Sequence, residues 1–252
     1  MKQKLTGSNM LNCIAFTAMV VVNILAQTLP LGGMNTAEIS ALYPTLLTPA
    51  GFTFSIWFVI YAAMGWFVLH SFVSENEAAS EKLGKLFAVS CLLNILWIFS
   101  WHYEIMLTAT IAIAGLWLIL LLMAGKVRDE KWHIKGGFDI YYAWITVAAA
   151  VQIFIYLSEI IPIRYESTTS TAVSVGVITM LTIFALVKIL REKNLMFGLT
   201  MVWSLAGVLI KQYNTGTRIV YRVVEVASGI GLLVIVVALV WLIGNRSERG
   251  AI

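Results

Sequence analysis

Polar side chains isolated in long apolar runs are the first candidates for chemistry, because in hydrocarbon each must be paired or line a cavity. Asn23 and Gln27 lie four residues apart and so share one face of any helix that carries them. Asn94 interrupts the run Leu92–Trp97, and Gln152 interrupts Ala150–Ile153. Interhelical hydrogen bonding, worth roughly 0.6–2 kcal/mol each, is one reading of these four residues; lining a binding cavity is the other. Glu225 follows Arg222 by three residues, a spacing that places the two on one helix face. A proton- or ion-coupling role is the sharper alternative for Glu225 and for Glu159. Trp57, Trp97, Trp101, Trp117 and Trp144 fall in segments that can converge on one cavity, where flat apolar walls suit a large planar or polycyclic ligand. Trp132, Trp203 and Trp241 are expected in the interfacial aromatic belts.

Catalytic constellations do not emerge from the spacing. His70, His102 and His133 are widely separated and fall near span ends or in loops, and no Ser-His-Asp set or phosphate-binding glycine loop accompanies them. The expectation is a protein without enzymatic activity, metal or required cofactor. Cys13 and Cys91 sit inside apolar runs, where they read as small packing residues.

The elements that position these residues follow from composition. Of 252 residues, 60% are apolar and 12% charged, against about 45–50% and about 25% in a soluble domain. With a mean hydropathy of +0.88, a water-soluble globular protein is excluded. A spanning helix needs about 20 apolar residues. The apolar runs are 11–31, 51–73, 86–101, 104–125, 139–160, 172–190, 196–212 and 220–243. The expected fold is therefore an all-α, polytopic membrane bundle of about eight helices. The seventh run is short and ends in Lys211, so seven spans is the fallback. The first run is longer than a signal-peptide core and lacks a clear cleavage site, which makes it an uncleaved span.

Charge placement sets the expected orientation. With the N-terminus inside, the inner segments hold Lys2, Lys4, Lys82, Lys85, Lys126, Arg128, Lys131, Lys135, Lys188, Arg191, Lys193, Arg246 and Arg249. The outer segments hold Arg164, Lys211, Arg218 and Arg222. That is 13 against 4. Both termini are expected in the cytoplasm of a cell, most simply a bacterial one, and the +4 net charge is an orientation signal rather than a nucleic-acid footprint. The outer loop Gly32–Pro49, with Gly32-Gly33, Pro44 and Pro49, is expected to be irregular, with a short helical turn near Ala37–Leu42. Folded over a bundle, it would make a lid. Ser74–Lys85 is expected to extend a helix out of the bilayer. No internal repeat is visible.

The stretch Tyr43–Gly65 resembles the start of the second helix of the TspO, or translocator-protein, family, also called tryptophan-rich sensory proteins. Its pattern there is a proline-rich loop followed by Trp-x-x-Leu-Tyr-x-x-Met-Gly, matched by Trp57, Ile60, Tyr61, Met64 and Gly65. Leu93-Asn94-Ile95-Leu96-Trp97 is similar to the third-helix Leu-Asn-x-x-Trp, and Leu116-Trp117 to the Leu-Trp pair of the fourth. Tyr142-Ala143-Trp144-Ile145-Thr146-Val147-Ala148 resembles the fifth-helix Tyr-Leu-x-Trp-Val-x-Phe-Ala, with one residue missing between Tyr142 and Trp144. Ser55 replaces the family's proline before the helix-two tryptophan, and three further spans follow, marking a long, divergent branch.

The resemblance implies a five-helix unit over residues 1–160, with an additional three-helix unit over 161–252. It implies a sensory or binding protein whose first loop covers a pocket for a porphyrin, sterol or other hydrophobic ligand, which the protein would also translocate. Haem-type ligands and homodimers belong to the same expectation. The pocket residues it implies are Phe52, Trp57, Tyr61, Asn94, Trp97, Trp144, Ala148 and Gln152. The competing reading is a proton-coupled secondary transporter of a small hydrophobic solute, with Glu225 or Glu159 as the coupling acid.

Overall fold

A computed structural model describes residues 7–29, 31–73 and 83–249. Among them the chain forms nine α-helices and no strand. They are α1 (Gly7–Thr28), α2 (Thr36–Leu42), α3 (Ile56–Val73), α4 (Lys85–His102), α5 (Met106–Lys126), α6 (Trp132–Ile160), α7 (Thr168–Glu192), α8 (Leu195–Thr215) and α9 (Ile219–Arg249). Every one except α2 is long and apolar enough to cross a bilayer, which makes eight spans among the described residues. Helices are the required form, because backbone groups in hydrocarbon must be satisfied within the segment. The expected helix over Ser74–Lys85 lies largely outside the described residues.

Helix α6 begins at Trp132, seven residues before the apolar run it was read from. Lys135 and Asp139 interrupt the hydropathy but not the helix, because they pair with each other at i,i+4. At 29 residues it is about 43 Å long, well beyond the ~30 Å hydrocarbon thickness. The seventh span is a full helix of 21 residues, running past Lys211.

The chain forms two compact units, one of Met1–Leu42 with Ile56–Ile145, the other of Tyr43–Ser55 with Thr146–Ile252. In the first unit α1 packs on α3 and α4, and α4 packs on α2 and α5. Phe67, Phe87 and Phe138 interlock at ring separations of 5.1–6.3 Å. In the second unit α7, α8 and α9 pack mutually. Ser174, Ser204 and Ser228 are buried there, and each hydroxyl donates to the carbonyl four residues back, so none enters the apolar interior unsatisfied. Ser167 caps α7 by accepting from the Ser170 amide at 3.0 Å, and Asn194 caps α8 by accepting from the Phe197 amide at 3.1 Å.

The loop after α1 is clasped by a chain of hydrogen bonds. His102 Nδ1 lies 3.2 Å from the Leu31 carbonyl, which can only accept, so Nδ1 carries the proton. Nε2 then accepts from the Thr36 hydroxyl at 3.0 Å, and Thr36 Oγ1 accepts from Gln27 Nε2 at 2.9 Å. Gln27 thus bonds to the loop rather than to another span. Gly32 sits at φ +69, and a Cβ there would lie 2.7 Å from the His102 carbonyl oxygen. Gly32→Ala is expected to lower stability by about 1–3 kcal/mol, combining left-handed strain with that clash. Thermal unfolding in detergent checks it, and an unchanged midpoint would remove the clasp's role.

Candidate ligand site

Three helices of the first unit each bring aromatic rings at i+3 or i+4 spacing, so the rings of a pair share one face. Helix α3 carries Trp57 and Tyr61, stacked at 5.4 Å with a 20° interplanar angle. Helix α4 carries Trp97 and Trp101, stacked at 6.4 Å. Helix α6 carries Tyr141 and Trp144. Trp57 is the hub. Its ring lies 6.4 Å from Trp97 in a stacked arrangement, 5.9 Å edge-on from Tyr141 and 6.4 Å edge-on from Trp144. Trp97, Tyr141 and Trp144 are buried, whereas Trp57 and Tyr61 are half-buried.

A polar thread runs beside these rings. Asn94 is 0% exposed; its Oδ1 accepts from Asn23 Nδ2 at 2.8 Å, and its Nδ2 donates to the Tyr141 hydroxyl at 3.2 Å. Asn23 Nδ2 also donates to the Met19 carbonyl at 2.9 Å. The Trp97 indole N–H is buried and has no hydrogen-bond partner among the described residues. A buried donor in that state costs free energy unless an acceptor reaches it.

Of the residues expected from the sequence, Trp57, Tyr61, Asn94, Trp97 and Trp144 come together. Trp101 joins them through Trp97, and Trp117 packs on Tyr142 at 6.0 Å. Phe52, Ala148 and Gln152 belong to the second unit, where Phe52 meets Trp203 edge-on at 5.4 Å. Gln152 is buried and Ala148 half-buried. Trp203, assigned from sequence only to an interfacial belt, donates its Nε1 proton to the Thr53 carbonyl at 2.9 Å. Trp132 and Trp241 are exposed, as belt residues should be. Glu225 accepts from Arg222 Nη1 at 2.6 Å, and that guanidinium lies 5.7 Å over the Tyr213 ring. Glu159 is exposed at the end of α6.

Tyr141 was missed. The signal was present, since Tyr141 precedes Trp144 by three residues and shares its face, while Tyr142 does not. Read from Tyr141, the spacing Tyr-x-x-Trp is complete and the missing residue disappears. Asp139, buried two turns into α6 beside Lys135, was also passed over.

A family model described as TSPO-like protein matches residues 9–241. The chain belongs to the TspO family. The match extends through α7 and α8 and into α9, so the family pattern reaches all of the last three spans. No curated protein and no solved structure matches the chain. Eight apolar helices and TspO membership together make this an integral, multi-pass membrane protein.

Proposed function

We propose that this TspO-like protein binds a planar, largely apolar ligand of the porphyrin class at the Trp57 cluster, as a sensor or carrier rather than as an enzyme. The observation that carries the reading is the convergence of rings from α3, α4 and α6 on a half-buried tryptophan, next to a buried indole N–H with no partner among the described residues. Aromatic faces offer stacking worth about 0.5–1.5 kcal/mol per pair beyond burial. The Trp97 N–H is suited to an acceptor on the ligand edge, such as a carboxylate or carbonyl. Sterols share the apolar bulk but not the stacking, and rank below porphyrins on that ground. The 13-to-4 charge bias supports a cell membrane with both termini on the cytoplasmic side.

The test is titration of the detergent-purified protein with protoporphyrin, read as tryptophan quenching. Saturable quenching in the micromolar range is expected, and Trp97→Phe, which keeps the ring and deletes the N–H, should weaken it several-fold. Quenching that never saturates would remove the ligand assignment.

A further inference from the structure

Segment Tyr43–Ser55 is gripped within the second unit by α8, and almost entirely through main-chain atoms. Gln212, 1% exposed, donates Nε2 to the Leu46 carbonyl at 2.8 Å. The Ala50 amide donates to the Gly207 carbonyl at 3.0 Å. Trp203 donates to the Thr53 carbonyl at 2.9 Å while its ring meets Phe52 edge-on. Contacts therefore fall along three successive turns of α8, at residues 203, 207 and 212. Gly207 is what lets the segment lie so close: a Cβ there would run into Thr53 Oγ1, with Thr53 Cγ2 at 2.9 Å and Pro49 Cβ at 3.0 Å.

The segment is also wound tightly on itself. Thr45 Oγ1 accepts from the Leu47 and Thr48 amides at 3.2 and 3.1 Å, and the Thr53 amide donates to the Ala50 carbonyl at 2.9 Å. Leu46, Leu47 and Thr53 are buried. Such a piece of chain is unlike an opening lid, for which few buried contacts and solvent-exposed backbone bonds are expected.

We infer that α8 is the fixed seat of segment Tyr43–Ser55, with Trp203, Gly207 and Gln212 as positioning residues that hold it as a closed strap within the second unit rather than as an opening lid.

Hydrogen–deuterium exchange of the full-length protein in detergent tests the seat without ligand. Alanine is a better helix former than glycine, so Gly207→Ala does not weaken α8 itself. Exchange at the Ala50 and Thr53 amides should rise at least tenfold in Gly207→Ala while α7 and α9 amides stay as they are. Thr53→Ala removes the two nearest atoms and should restore slow exchange in the double variant. Gln212→Leu, which leaves Gly207 untouched, should speed exchange around residues 46–50. Unchanged exchange at Ala50 and Thr53, or failure of Thr53→Ala to reverse the effect, overturns the inference.

Discussion

Trp57→Ala should weaken protoporphyrin binding at least tenfold, equivalent to about 1.4 kcal/mol. Trp57 is the ring common to all three helices, touching Tyr61, Trp97, Tyr141 and Trp144. Its removal takes away the half-buried surface on which a planar ligand would stack and frees the buried rings around it to repack. Trp57→Phe keeps an aromatic face and should retain most of the affinity. That contrast separates stacking from simple disorder of the cluster. Equal affinities in the alanine variant and the wild type would show that the ligand binds elsewhere.

The second large effect is expected at Lys135. Asp139 is 4% exposed by side chain and its ion-pair partner Lys135 is 24% exposed. Removing one partner of a buried pair leaves an uncompensated charge and costs about 3–5 kcal/mol, whereas replacing both with apolar residues of similar volume is often neutral. Lys135→Ala should therefore lower the unfolding midpoint sharply, toward the limit of what a marginally stable protein tolerates. The double variant Lys135→Met with Asp139→Leu should recover most of it. If the double variant is as unstable as the single one, the loss comes from packing of α6 and not from the stranded carboxylate.

The eight spans were legible because bilayer thickness sets a length that apolar runs must meet, and their boundaries were less so. Lys135 and Asp139 hid the first two turns of α6, since hydropathy registers two charges where the helix contains one pair. At the other extreme, Lys211 seemed to end α8, yet the helix runs on to Thr215. Trp57, Trp97 and Trp144 could be picked out by type and order along the chain. Tyr141 could not while its neighbour Tyr142 was taken for the match, a one-residue slip that turns a helical residue by about 100°. The partnership of Asn23 with Asn94 spans 71 residues and has no local signal. The α8 grip was illegible for a different reason. It ends on the carbonyls of Leu46 and Thr53 and the amide of Ala50, and main-chain atoms leave no mark in a sequence.

That last property bears on how such a protein diversifies. A grip on carbonyls and amides is indifferent to which side chain each loop residue carries, provided the volume near Gly207 stays small. Substitutions can therefore accumulate along 43–55 while the path of the chain is kept. The constraint falls on one tryptophan, one glycine and one glutamine of α8. Along the segment itself, selection would act on bulk more than on chemistry.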